Sequence, residues 1–303
     1  MKVFIDGESG TTGLQMHLRL SVSHFDLVSI PVEARRNADT RLAAMAEADL
    51  VILCLPDEAA KEAVGLASSL GDDCPRIIDA SSAHRTDPAW VYGFAEMAKG
   101  QRDMIRRARY VSNPGCYATG AIAIIRPLVE SGILPNDHPL TINAISGYSG
   151  GGTQMIAAYE QGAGPAFELY ALGLEHKHIP EIVMYGKLER RPLFVPSVGS
   201  FRQGMLVCIP LHLDTLPRKP SIRDLEEILV QYYVHTRRVE IVRSSDAIGS
   251  RIRAETQAAD DLVIYVTGNE SYGHAVLIAR LDNLGKGAAA AAMQNALLMC
   301  DDE

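Results

Sequence analysis

Short apolar bursts and longer amphipathic stretches alternate along the first third of the chain. KVFID (Lys2–Asp6) leads into a glycine loop, and apolar positions at helical spacing follow from Leu14 to Leu20. The alternation repeats as FDLVSIP then TRLAAMAEA, DLVILCLP then DEAAKEAVGLASSL, and RIIDA. DLVILCLP is apolar without interruption, as a parallel strand buried on both faces must be. DEAAKEAVGLASSL opens on two acids, which suit the positive end of a helix dipole. Residues 106–112, ending in YVS, extend the series as a fifth strand. Strand–helix alternation of this kind predicts an α/β fold built on a parallel sheet.

From about Pro139 the pattern changes. TINAIS, PLFVPSV, GMLVCIPLHL, DLVIYVTG and HAVLIARLD read as strands with few helices between them, which predicts a mixed or antiparallel sheet. SIRDLEEILVQYYV is the one long helix there, with Ser221 as its cap. Residues 285–300 read as a final helix whose alanine face can pack closely on other backbone. No internal repeat is visible.

Composition narrows the function classes. A net charge of -8 and a pI near 5.6 give no general basic field for nucleic acid or an anionic membrane. The longest apolar runs, such as LVILCL, are far too short to span a bilayer. MKVFIDGESG has the features of neither a signal nor a transit peptide. The cysteines at 54, 74, 116, 208 and 300 form no disulfide framework and no CxxC pair, so the expected compartment is the reducing cytoplasm. Four of them read as ordinary buried small residues.

GESGTTG sets Gly7, Gly10 and Gly13 between the first strand and a helix, with Thr11 and Thr12 among them. Glycines there let backbone amides approach a pyrophosphate at a helix N-terminus, so the loop reads as a dinucleotide site or as a plain turn of an α/β domain. After the second strand, Glu33 is followed by Arg35 and Arg36. Two guanidiniums suit a 2′-phosphate, hence NADP, though a solvated charged loop has the same composition. These features predict a Rossmann-like NAD(P)-binding domain over residues 1–112, completed by 285–303, and a mixed-sheet α+β catalytic and oligomerisation domain over 113–284.

The fifth cysteine stands apart. In VSNPGCYATG, Asn113 and Gly115 make a turn stiffened by Pro114, and a helix is expected from Tyr117. Amides and the positive dipole end at a helix N-terminus favour a thiolate. Cys116 therefore reads as a nucleophile, and its flanks are loop chemistry rather than core chemistry. GLEHKHIPEI supplies His176 and His178, either of which can take the thiol proton and return it later. Without a matching cysteine or carboxylate cluster the pair reads as no zinc site. ISGYSGGGT, with Ser149 and Gly150, is either a phosphate or cofactor loop or a merely flexible one. DASSAHR places Ser82 and Arg85 at the carboxyl edge of the sheet, where α/β ligands sit.

With SNPGCYATG, HKHIPE, the glycine loop, ISGYSGGG and DNLGKGA in this order, the sequence resembles the N-acetyl-γ-glutamyl-phosphate reductase family, relatives of aspartate-semialdehyde dehydrogenase. The resemblance runs over nearly the whole chain. DASSAHR stands where longer members end in Asp-Phe-Arg, so the sequence is similar to the compact branch. The resemblance implies NADPH-dependent, reversible reduction of N-acetyl-glutamyl 5-phosphate to the 5-semialdehyde plus phosphate, through a thioester on Cys116, in arginine biosynthesis. It gives His178 the proton shuttle and His176 an auxiliary or substrate-binding role. Cofactor contacts fall on the glycine loop, Arg35, Arg36, Ser149, Gly150 and Asn283, and substrate contacts on Ser82, Arg85, Asn113 and His176. It also implies a homo-oligomer, dimer or tetramer, with no membrane or nucleic-acid partner. The competing readings are an aspartate-semialdehyde dehydrogenase, a cysteine hydrolase or acyltransferase without a redox step, and a silent NADP-binding regulator.

Overall fold

A computed structural model describes residues 1–243, 251–255 and 260–300. The chain divides into two compact units, Met1–Pro114 with Ala288–Glu303, and Gly115–Gly287. Residues 301–303, at the end of the expected nucleotide-binding domain, lie outside the described residues.

The first unit holds β1 (Lys2–Asp6), α1 (Thr11–Ser21), β2 (Asp26–Val28), α2 (Ala38–Glu47), β3 (Leu50–Leu53), α3 (Asp57–Ser68), β4 (Arg76–Asp79), β5 (Val91–Tyr92), α4 (Gln101–Arg107) and β6 (Tyr110–Ser112). Its strands form one parallel sheet in the order β2-β1-β3-β4-β6-β5. Both faces are covered, which is why β3 is buried at every position. Val3, Ile5, Leu50, Ile52 and Ile78 pack against α1, α4 and the C-terminal helix (Ala290–Met299). Phe4, Val51, Leu53 and Ile77 pack against α2 and α3. Ala292 and Ala296 of the C-terminal helix, with Ala289 just before it, lie in the first of these cores, and an α-helical run begins only after one π-helical turn at Gly285–Ala289.

Three expectations need correction. The segment 106–112 is not all strand: α4 takes Arg106 and Arg107, and pairing starts only at Tyr110. The second strand stops at Val28 rather than near Pro31. Among the four cysteines read as buried, only Cys74 is fully so; Cys54, Cys208 and Cys300 are partly exposed.

The second unit holds α5 (Cys116–Glu130), β7 (Thr141–Gly147), α6 (Gly152–Glu160), β8 (Phe167–Leu169), α7 (Ile179–Tyr185), β9 (Leu193–Gly199), β10 (Met205–His212), α8 (Ile222–Tyr233), β11 (Val239–Val242), β12 (Leu262–Asn269) and β13 (His274–Leu281). The mixed sheet runs β11-β12-β13-β10-β7-β9-β8. Helix α6 makes it richer in helix than its apolar pattern announces, while α7 falls where Pro180 and Glu181 are expected to open a helix.

Helix α5 packs on β10 and β13 and against α7 and α8, and nearly all of it is buried. Pro127 sits in its last turns and has no N–H, so the Ala123 carbonyl loses its partner four residues on. The Tyr233 hydroxyl on α8 donates to that carbonyl at 2.8 Å, which couples the two helices where the proline leaves an acceptor open. Ser221 caps α8 as expected, in a reciprocal capping box with Asp224. Among the described residues no helix is long and apolar enough to cross a membrane.

Candidate active site

In the first unit the chain leaves β1 toward β2 and returns across the sheet to β3, so the strand order reverses between β1 and β3. Ligands of open α/β sheets bind at the carboxyl ends of strands at such a point. The glycine loop lies there. Gly7 has φ +91°, and a Cβ at Gly7 would stand 2.3 Å from the Cys54 carbonyl oxygen after β3. A Cβ at Gly13 would stand 2.3 Å from the Gly7 oxygen. Both positions demand glycine, one for conformation and contact, the other for contact alone. Gly10 precedes α1 without a side-chain cap, leaving the first-turn amides to other acceptors.

A cleft of about 540 Å³ opens beside this loop, lined by Asp6, Glu8, His17, Arg35, Arg36 and Arg41 among others. Its charges are largely paired. Arg41 donates twice to Asp6, at 3.1 and 2.7 Å, both side chains being buried. Burial raises the Asp6 carboxyl and the Arg41 guanidinium opposes that rise, leaving it above the usual carboxylate value. Glu8 accepts from Arg35 at 2.6 Å and pairs with His17 through its other oxygen. Arg36 is exposed and in no ion pair among the described residues. Thr11 Oγ1 and Arg35 Nε are buried without hydrogen-bond partners. Sequence reasoning missed the Asp6–Arg41 pair, because neither residue signals its partner across 35 positions.

At the end of β4, Asp79 is a hub: it accepts from the Ser81 amide and hydroxyl and bonds His84 Nδ1 at 2.6 Å. Ser82 donates by amide and hydroxyl to Asp57. Arg85 donates to the Asn113 carbonyl at 3.0 Å. The Asn113 amide is engaged at both ends, Nδ2 donating to the Ala288 carbonyl and Oδ1 accepting from Asn295. Of the residues expected around the substrate, Arg85 and Asn113 thus brace the chain at the end of β6, whereas Ser82 is tied to the start of α3.

In the second unit Cys116 is the first residue of α5, one position earlier than expected, and Gly115 is its cap. The thiol is partly exposed. Tyr117, the next residue, has its ring centroid 5.7 Å from that of His176 and 5.8 Å from that of His178, and the two imidazoles are 4.6 Å apart, edge to face. The helix start and the HKH segment, 60 residues apart in sequence, therefore meet.

Hydrogen bonding separates the two histidines. The His178 amide donates to His176 Nδ1 at 3.1 Å. That bond requires the Nδ1 lone pair, so a neutral His176 carries its proton on Nε2. Nε2 faces the Tyr170 hydroxyl at 3.5 Å; Tyr170 donates to the Tyr117 hydroxyl, and Tyr117 donates to the Ser197 carbonyl. The four groups form a chain with one polarity, which orients the His176 ring. Burial pushes the Tyr170 phenol up to about 12, with the Cys116 charge adding to it and the bond to Tyr117 opposing. Tyr117 is raised for the same leading reason, with Tyr170 and Cys116 contributing. Both phenols stay protonated donors at neutral pH.

Glu181, on α7, received no site role from sequence. Its carboxylate is buried and accepts from the Gly115 amide at 3.1 Å. The Gly115 amide is thereby taken, so any oxyanion held at this helix start depends on later amides of the first turn. Ser149 is buried and Gly150 exposed, in the turn after β7. Asn283 donates to Ser149 Oγ at 2.8 Å and accepts from the Gly204 amide at 2.8 Å. Among the described residues no group of three or more His, Cys, Asp or Glu side chains is arranged to hold a metal.

Two family models match the chain. "Semialdehyde dehydrogenase, NAD binding domain" covers residues 31–105, and "Semialdehyde dehydrogenase, dimerisation domain" covers residues 116–283. Solved structures agree in fold. Aspartate semialdehyde dehydrogenase II from Vibrio cholerae, complexed with ASA, superposes with a TM-score of 0.69 at 16% identity, over 99% of this chain and 98% of that one. The enzyme from Candida albicans with NADP gives 0.68 at 13% identity, over 99% of both chains. Fold and site thus define the semialdehyde dehydrogenase class. Within it, the N-acetyl-gamma-glutamyl-phosphate reductases of Brucella ovis and Brucella melitensis are 50% and 49% identical, over 98% of this chain and 98% of theirs. The chain belongs to the N-acetyl-gamma-glutamyl-phosphate reductase family.

Proposed function

We propose that this protein reduces N-acetyl-γ-glutamyl phosphate to N-acetylglutamate semialdehyde and phosphate, with NADPH as hydride source. The observation that carries the reading is Cys116 at the start of a helix whose next residue, Tyr117, packs on both His176 and His178, in a chain half identical to reductases of that name. Likeness to the aspartate enzymes, at 12–16% identity, extends to fold alone.

Residues of the first unit fit a phosphorylated dinucleotide. Thr11 Oγ1 and Arg35 Nε are buried donors without partners, the start of α1 has no side-chain cap, and Gly7 and Gly13 leave no room for side chains. In this reading Gly7, Gly10, Thr11, Thr12 and Gly13 hold the pyrophosphate, and Arg35 and Arg36 hold a 2′-phosphate. Gly150 offers its exposed backbone to the cofactor, while Ser149 and Asn283 hold its turn. Replacing both arginines by glutamine is expected to weaken NADPH roughly ten- to a hundred-fold, the value of one to two charge-assisted contacts, and NADH little. Equal losses in a fluorescence titration would remove these arginines from phosphate recognition.

Chemically, the Cys116 thiolate attacks the acyl carbonyl and the C–O bond to phosphate breaks, leaving a thioester and inorganic phosphate. The chemistry that NADPH supplies when bound is a hydride for the thioester carbonyl. First-turn amides of α5 stabilise the resulting oxyanion. His178 takes the thiol proton at the outset and returns it to that oxygen; as the thiohemiacetal collapses, the hydroxyl proton passes back to His178, the C–S bond breaks, and aldehyde and thiolate are released. His176 holds the His178 amide and contacts substrate. Arg85, Ser82 and Asn113 are the proposed substrate supports, Asn113 acting through the backbone it braces.

Self-association is part of the reading. One face of the seven-stranded sheet carries α5 and α8, whereas Leu206, Cys208, Tyr265, Val276 and Ile278 are half-exposed at alternating positions of β10, β12 and β13. A second copy covers that apolar face. Five free cysteines accord with a reducing cytoplasm.

The test is NADP⁺ reduction by purified protein in phosphate. N-acetylglutamate semialdehyde is expected to exceed aspartate semialdehyde by at least about 10²-fold in kcat/KM, since a site built around an acyl amide leaves polar groups unpaired without it. Equal rates, or a preference for the aspartate compound, would defeat the assignment.

A further inference from the structure

We infer that Glu8 sets the cofactor preference of the cleft by competing with a 2′-phosphate for Arg35, an inference that rests on the NADP(H) reading above. Glu8 follows Gly7 in the glycine loop. Its Oε2 lies 2.6 Å from Arg35 Nη2 and its Oε1 is bonded to His17 Nδ1. The Glu8 and Arg35 side chains are only 20% and 29% exposed, so solvent screens this pair incompletely.

The three guanidiniums of the cleft wall are unequal. Arg41 is neutralised by Asp6, with Glu62 at 3.9 Å. Arg35 has one edge on Glu8 and its Nε buried without a partner. Arg36 is exposed and in no ion pair among the described residues. A phosphate carrying nearly two negative charges gains from Arg36 and from Arg35. It also meets the Glu8 carboxylate on the same guanidinium, and like charges at hydrogen-bonding range oppose each other. A ribose hydroxyl behaves oppositely, because it can donate to a carboxylate, which is how acids read the ribose in NAD sites. Glu8 therefore narrows the gap between the two cofactors, and Arg36 keeps the balance toward the phosphorylated one.

A purely mechanical role makes a different forecast. If Glu8 only ties the loop to α1 and to the segment after β2, its loss lowers stability and weakens both cofactors alike. Glu8→Gln preserves size and an acceptor while removing the charge. Kd values for NADPH and NADH are measured by fluorescence titration, and those for adenosine 2′-monophosphate and adenosine by calorimetry, so the readout does not depend on turnover. The expected result is an NADPH Kd lowered about three- to tenfold, the scale of a partly exposed charge pair, with adenosine 2′-monophosphate following and NADH unchanged or weakened. In an Arg35→Gln background the same substitution should lose most of its effect, since the competition needs Arg35. Tighter binding of both cofactors, weaker NADPH binding, or an effect that persists without Arg35 would overturn the inference. The parent protein separates the two levels. If it binds NADPH and NADH equally and Arg36→Gln changes neither, the NADP(H) reading fails and takes this inference with it. If it prefers NADPH and Glu8→Gln leaves the ratio unmoved, only the role of Glu8 falls.

Discussion

Cys116→Ser is expected to fold and to bind NADPH like the parent while losing at least about 10³-fold in kcat, or about 4 kcal/mol of barrier. The argument begins with position. Cys116 opens a 15-residue helix, with Gly115 as its cap and no acid in the first turn. The dipole end and first-turn amides there favour an anion at sulfur. A serine hydroxyl at the same place is much harder to ionise, and the oxygen ester it would form accepts hydride less readily than a thioester. Stability should change little, since the thiol is partly exposed and the swap is nearly isosteric. The direct measurement is mass spectrometry of protein quenched with acyl substrate in the absence of reduced cofactor. An acyl adduct on Cys116, absent from the serine variant, is expected. An adduct on another residue, or full activity of Cys116→Ser, would refute the thioester route. In the parent, iodoacetamide should alkylate Cys116 at a pH below the ordinary thiol pKa of about 8.5, and substrate should protect it.

What could be read from the sequence was what short-range patterning encodes. Apolar runs marked β1, β3 and β4, and the Ser221 cap marked α8, because a buried strand and a helix start each leave a local signature. Cys116 stood out for the same reason, with Asn-Pro-Gly beside it. Two-residue β5 and three-residue β8 are too short to show a period. The α4–β6 junction misled because the helix-forming Arg106 and Arg107 stay in α4 and the strand begins only where Tyr110 pairs with Ile77. Glu181 is the clearest omission. Its partner, the Gly115 amide, lies 66 positions away, and an acid in the first turn of α7 is explained locally by the helix dipole. The Asn113 amide and the Asp79 hub likewise became interpretable only once strand ends were placed side by side. Long-range polar pairing has no periodicity to betray it.

His178→Ala should produce the second-largest loss, about 10²- to 10⁴-fold in kcat, the usual value of a positioned acid–base group. Two features of the site support the proposed choice of His178 over His176. His176 Nδ1 is committed as acceptor to the His178 amide, and its Nε2 faces the Tyr170 hydroxyl, so both ring nitrogens serve the scaffold. The neighbouring phenols cannot replace the imidazole as base at neutral pH: burial holds Tyr170 up near 12, and Tyr117 is raised too. The sign of the effect on the thiol follows from charge. An imidazolium near sulfur favours the thiolate, so removing the ring leaves less thiolate at any given pH. The iodoacetamide rate profile of His178→Ala should therefore move upward in pH, toward that of an ordinary cysteine, and a merely structural residue would not move it in this manner. His176→Ala should mainly raise KM, with a smaller fall in kcat through the loosened His178 amide. If His176→Ala instead abolished turnover and shifted the alkylation profile while His178→Ala did neither, the proton shuttle would have to be assigned to His176, and the hydrogen-bond chain through Tyr170 and Tyr117 would become its proton path.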